Sequence, residues 1–136
     1  MSVAERHDQG VLDTCVVIDL GDLDPGRLPR FPDITSVTMA ELHQGVATAK
    51  EPVARAQRME RLQAAVGDFS PLPFDDEAAA RYGTLVALTL AANRSPKPRR
   101  MDLMIAAVAS VHGLPLYTRN ADDFVGLDSA VRVVSV

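Results

Sequence analysis

Residues 102–124, DLMIAAVASVHGLPLYTRNADDF, decide the fold. Within them Leu103, Ala106, Ala107, Ser110 and Val111 recur at steps of three and four, the spacing of one helix face. Gly113 follows where a helix commonly ends in a left-handed residue. Leu114 to Thr118 is then of strand length, and the Arg119-Asn120-Ala121-Asp122-Asp123 run is turn-prone. A helix that feeds a short strand, whose C-terminal end carries amide and carboxylate side chains, belongs to an alternating α/β arrangement.

The rest of the chain extends that alternation in both directions. Val11-Leu12-Asp13 reads as a first strand, and the CVVIDL run after Thr14 reads as a turn and then a helix. Residues 21–32 contain Gly21, Pro25, Gly26, Pro29 and Pro32, which predicts a loop with at most a helical turn. Ile34–Val37 is predicted as the second strand. Thr38 followed by Glu41 makes a capping-box pattern and predicts a helix beginning there. A second amphipathic helix is expected over 53–66, and a third, Ala-rich, over 76–93 with Asp75 or Asp76 as its cap. Asp102 then opens the helix already described, and Val131–Val136 is the last strand. Strands near 11–13, 34–37, 114–118 and 131–136, separated by helices, predict an α/β sandwich with a central, mainly parallel sheet and helices on both faces.

At 136 residues with 47% hydrophobic content, the chain is expected to be one domain over 1–136, with residues 1–10 as a candidate flexible extension. Fourteen Lys and Arg against eighteen Asp and Glu give a net charge of −4, which excludes a generic basic protein that coats nucleic acid. Cys15 is the single cysteine, so neither a disulfide framework nor a Cys-rich zinc site is available, and a cytoplasmic location is the default expectation. No apolar run approaches the roughly 20 residues that span a bilayer, so no membrane partner is expected. Aromatic residues make up 4% with no Trp, which leaves no stacking platform for unpaired bases.

In open α/β sheets the reactive crevice lies beyond the C-terminal strand ends. Asp13 ends the first strand, Glu41 lies just after the second, Asp102 opens a helix, and Asn120, Asp122 and Asp123 follow the third strand. Each has an ordinary explanation alone: Asp13 and Asp102 as helix caps, Glu41 as the far member of a capping box. Together they predict convergence, and carboxylates brought together repel unless a cation neutralises them. Oxygen-only ligands select hard divalent ions, Mg²⁺ or Mn²⁺, whose role at a phosphate is to activate water and stabilise the leaving oxygen. Thr14 and Thr118 are candidates for holding an acid through their hydroxyls. Two other readings stay open: a small phosphatase phosphorylated on Asp13, and a non-catalytic module whose acidic pocket accepts a partner's arginine. The phosphatase reading lacks a second Asp two positions on, where Cys15 stands.

The segments VLDTCVVIDL (11–20), SVTMAELHQG (36–45) and RRMDLMIAAVASVHGLPLYTRNADDF (99–124) together resemble PIN-domain proteins of the VapC toxin type, in order over almost the whole chain. The resemblance implies a PIN-like fold and an Mg²⁺- or Mn²⁺-dependent endoribonuclease, the toxin of a type II toxin–antitoxin pair. It further implies an RNA substrate, a homodimer or a toxin–antitoxin hetero-oligomer, and silencing by a cognate antitoxin of the VapB type. Carried over by position, Asp13 and Asp102 match metal ligands and Glu41 the acid of the T-x-A-E-L segment. The family's fourth acid falls on Asn120 here, with Asp122 and Asp123 close behind. An Asn carbonyl can bind a cation but adds no negative charge.

Positive charge to hold phosphates is available from Lys97, Arg99 and Arg100 just before Asp102, and from the stripe Arg55, Arg58 and Arg61. Of these the 97–100 segment is the better RNA contact, since three arginines at helical spacing ordinarily form a solvated face.

Overall fold

The computed structural model describes residues 6–136. Four strands form one sheet in the order β2-β1-β3-β4, parallel throughout: β1 (Gln9–Leu12), β2 (Phe31–Asp33), β3 (Leu116–Thr118) and β4 (Val133–Ser135). Five α-helices accompany them: α1 (Thr14–Ile18), α2 (Ser36–Ala47), α3 (Pro52–Asp68), α4 (Asp76–Ala91) and α5 (Arg100–Val111). No helix among the described residues is long and apolar enough to cross a membrane.

Alternation along the central strands builds a core on each face of the sheet. Val11 and Leu116 join one apolar cluster with Leu85 of α4 and with Leu103, Ile105 and Ala109 of α5. Their neighbours Leu12 and Tyr117 join the other, with Val16 of α1, Leu42 of α2 and Leu62 of α3. The expected sandwich is therefore present. α5 is buried from Ile105 to Ser110 without a break, more completely than one apolar stripe predicts. Its Ala106, Ala107 and Ala109 are small enough to let α4 lie close against it. Gly113, at φ +65°, takes the left-handed conformation expected just past that helix.

Several boundaries differ from expectation, most of all around the second strand. It occupies Phe31–Asp33, inside the segment expected to be a loop, and not Ile34–Val37. Pro32 is tolerated because β2 is the sheet's edge. The chain after it turns to another partner: Leu72 N–H donates to the Ile34 carbonyl at 2.9 Å, and Ser36 N–H donates to that of Leu72 at 2.9 Å. The cap of α2 is consequently Thr35, whose hydroxyl accepts from Thr38 N–H, and Thr38 lies inside the helix instead of capping it. Asp102 likewise does not cap α5; it is the third residue of a helix beginning at Arg100. Three elements are trimmed, α4 stopping at Ala91, β3 starting at Leu116 and β4 covering Val133–Ser135, whereas α3 runs past both of its expected ends and β1 begins at Gln9. The expected extension over 1–10 falls partly outside the described residues, and Gln9 and Gly10 already belong to β1.

Candidate active site

β1 pairs with β2 on one side and β3 on the other, so the order of the sheet reverses between β1 and β3. That switch point is where an open parallel sheet leaves a crevice beyond its strand ends. Asp13 follows β1 immediately and is only 2% exposed. Its N–H donates to the Tyr117 carbonyl at 2.9 Å, its Oδ1 accepts from Thr14 N–H at 2.9 Å, and its Oδ2 accepts from the Thr118 hydroxyl at 2.8 Å. Asp13 thus does cap α1, and it also faces the end of β3.

Glu41 arrives from α2. With the helix starting one residue after Thr35, Glu41 sits in its second turn, outside any capping box. Its Oε1 accepts from the Thr14 hydroxyl at 2.7 Å, and that hydroxyl is 2.9 Å from the hydroxyl of fully buried Thr38. Asp102 comes from the first turn of α5, where an acid also suits the helix's positive end.

The electrostatics tie these carboxyls to one another. Burial, then the charges of Asp13, Asp123 and Glu41, push Asp102 up to about 7, with Arg99 pulling the other way. Burial raises Asp13 above the ordinary carboxylate range, and Asp123 adds to it. Burial also raises Glu41, with Asp13 contributing. Asp123, in the 3-10 turn Ala121–Phe124, is half-buried, and its charge bears on both Asp13 and Asp102. Asp122 beside it is exposed, and its carbonyl accepts from Arg94. Asn120 is exposed too, and its contact with the cluster is through the main chain, its N–H donating to the Thr118 hydroxyl at 3.0 Å. Of the three candidates for a fourth acid, the turn points Asp123 inward.

Among the described residues no three Asp, Glu, His or Cys side chains stand together as a group ready to hold a metal ion. The donor set nevertheless fits a hard divalent cation: the side chains are carboxylates, burial and mutual repulsion raise three of them, and a cation would reverse both effects.

Three neighbours of the cluster escape a reading by residue type. Thr38 looked like a cap but backs Thr14. Cys15 is half-buried rather than a plain core residue, with its Sγ 3.5 Å from Asp13 Oδ2 and accepting from Arg119 N–H at 3.5 Å. Arg99 makes an ion pair with Asp123 at 3.5 Å. Farther out, Arg55 and Arg58 of the basic stripe bond the carbonyls of Ala49 and Gly45 at 3.1 and 2.6 Å, which ties α3 to the end of α2. Asp19 pairs with Arg119 at the surface.

The PIN domain family model matches residues 10–128. Ribonuclease VapC5 of Mycobacterium tuberculosis is 41% identical to this chain over 127 residues, 91% of each chain. Ribonuclease VapC4 of the same organism is 33% identical over 118 residues, 84% of this chain and 88% of that one. A crystal structure of VapBC-5 from M. tuberculosis, a member of the VapBC family of toxin–antitoxin systems, superposes with a TM-score of 0.83 at 38% identity, covering 95% of this chain and 99% of that one. FitAcB from Neisseria gonorrhoeae superposes with a TM-score of 0.67 at 26% identity, over 92% and 96%. Neither the small-phosphatase nor the non-catalytic reading survives these matches: the chain belongs to the PIN-domain family, among its VapC ribonucleases.

Proposed function

We propose that this chain is the RNA-cleaving toxin of a VapBC-type pair, an endoribonuclease whose Asp13, Glu41, Asp102 and Asp123 form the catalytic pocket. The observation that carries this reading is buried Asp13 at the end of β1, bonded by Thr118 of β3 and by the N–H of Thr14, whose hydroxyl in turn holds Glu41 of α2. Divalent-metal dependence is a general property of the PIN-domain VapC ribonucleases. Mg²⁺, with Mn²⁺ as a substitute, suits this pocket, and Asp13, Asp102 and Asp123 are the residues to hold it, with Glu41 adjoining. When bound, the ion neutralises the carboxylates and the charge that develops on the phosphate.

The chain's own residues supply the rest. Thr118 and the Thr14 N–H hold Asp13 with both oxygens oriented. Thr14 holds Glu41 through Oε1, which leaves Oε2 to take a proton from the attacking water. In the hydrolysis water adds to the phosphorus as the bond to the leaving ribose 3′ oxygen breaks; Glu41 takes the proton of the water, and the leaving oxygen takes one from solvent.

A cognate antitoxin of the VapB type neutralises the enzyme in this reading. A cleft of about 350 Å³ beside Glu41 is lined by apolar Ile18 and Leu42 and by the cations Arg58 and Arg61. A toxin of this kind acts on RNA in the cytoplasm.

The test is RNA cleavage by purified protein in Mg²⁺, Mn²⁺ or EDTA, beside Asp13→Asn and Asp102→Asn variants confirmed to be folded. Cleavage should need metal and vanish in both variants. Equal cleavage in EDTA, or by both variants, rejects the assignment.

A further inference from the structure

Arg99 sits where helix stability gives no reason for a cation. It holds the N-cap position of α5 without a side-chain capping bond, and a positive charge there opposes the helix macrodipole. Its side chain is nonetheless only 18% exposed, with Nε 3.5 Å from Asp123 Oδ1. That Nε is buried and makes no hydrogen bond, while Nη1 donates to the Ser95 carbonyl at 2.8 Å. The guanidinium therefore meets the Asp123 carboxylate as an ion pair at 3.5 Å, with no hydrogen bond from Nε. Its influence extends to Asp102, where it opposes the repulsion of the other acids. The neighbouring turn is held independently, because Arg94 bonds the Asp122 carbonyl.

We propose that Arg99 is the resident counterion of the acid pocket in the metal-free enzyme, displaced from Asp123 when a divalent cation loads and then used to grip an RNA phosphate. The inference rests on the metal-dependent nuclease reading above. A divalent cation and a guanidinium compete for the same carboxylate oxygens, so the cation must overcome the ion pair in order to bind. Once freed, the guanidinium stands at the rim of the pocket with planar paired donors, the geometry that matches two phosphate oxygens. Lys97 and Arg100, exposed on the same connection, add diffuse attraction.

The experiment measures two affinities on the full chain. Mn²⁺ binding is followed by electron paramagnetic resonance without RNA. Binding of a labelled single-stranded RNA in Mn²⁺ is followed by anisotropy in an E41Q background, which is expected not to turn the RNA over. Arg99→Gln should bind Mn²⁺ several-fold more tightly and RNA at least about tenfold more weakly, the loss of a charge-assisted hydrogen bond. Arg99→Lys, which keeps the charge and loses the fork, should hold Mn²⁺ as the parent does and recover only part of the RNA affinity. A residue that merely props Asp123 would lose both affinities in Arg99→Gln, and that result overturns the proposal. So does unchanged Mn²⁺ or RNA affinity in a folded variant. Failure of the parent protein to bind Mn²⁺ rejects the metal-site reading itself, and the role of Arg99 with it.

Discussion

Thr14 Oγ1 donates to Glu41 Oε1 across 2.7 Å, joining the first residue of α1 to the second turn of α2. Thr14 has one hydroxyl proton, so the 2.9 Å contact with Thr38 is made by Thr38 donating in its turn. A buried chain of two hydroxyls thus orients the residue proposed to accept the proton of water.

Thr14→Val keeps the shape of the side chain and removes the donor. RNA cleavage should fall about 10- to 100-fold, the usual effect of removing a group that orients an active-site ligand. Thr14→Ser should retain most of it. Loss of activity in Thr14→Val with Glu41 Oε1 still hydrogen-bonded in a crystal structure would count against the relay.

Asp102 gives the stability of the metal-free protein a pH signature. Its carboxyl is raised from 3.8 to about 7, so the folded state binds a proton the unfolded chain has already released. The contribution is fully present below about pH 4 and is lost as pH rises through about 7. Asp102→Asn should therefore gain thermal stability over the parent in EDTA, by a margin that widens from pH 5 to pH 8. Melting curves of both proteins at the two pH values, which lie on either side of the folded-state value of about 7, measure that margin; a constant margin would show that Asp102 is not the titrating group.

The inward turn of Asp123 separates it from its neighbours. Asp123→Asn should reduce cleavage severely and weaken Mn²⁺ binding, whereas Asp122→Asn should leave both unchanged. Asn120→Ala should also have little effect, since the bond it makes to Thr118 comes from the main chain. The reverse order among these variants would reassign the fourth acid.

Gly126 closes the turn that carries Asp123. Its φ is +92°, and a Cβ there would lie 2.8 Å from that of Ala92. Gly126→Ala should destabilise the fold by about 1–3 kcal/mol, from backbone strain and overpacking together. Urea denaturation checks the value, and an unchanged midpoint would mean that the turn adapts.

Legibility followed the range of the interactions. Leu103 to Val111 and Gly113 could be read directly, because helix periodicity and a left-handed end are local properties. The start of α2 could not. Thr35 and Thr38 are both hydroxyl residues with a polar partner three positions on, and only the pairing of Ile34 and Ser36 with Leu72 decides between them. That choice moved the strand to Phe31–Asp33 and lengthened the helix leading to Glu41.

By itself, then, the sequence determined the alternation of strands and helices, the placing of Asp13 and Asp102 at element ends, and the family likeness that their neighbours carry. Hydrophobic period and turn chemistry are written in adjacent residues. Tertiary structure alone decided that Asp123, and neither Asn120 nor Asp122, turns toward the acids, that Thr38 backs Thr14, and that Arg99 faces Asp123. Those outcomes depend on groups brought together from separate elements, such as Thr118 bonding Asp13 from 105 residues away. Consecutive side chains in a turn differ only in direction, and direction is set by what packs against the turn.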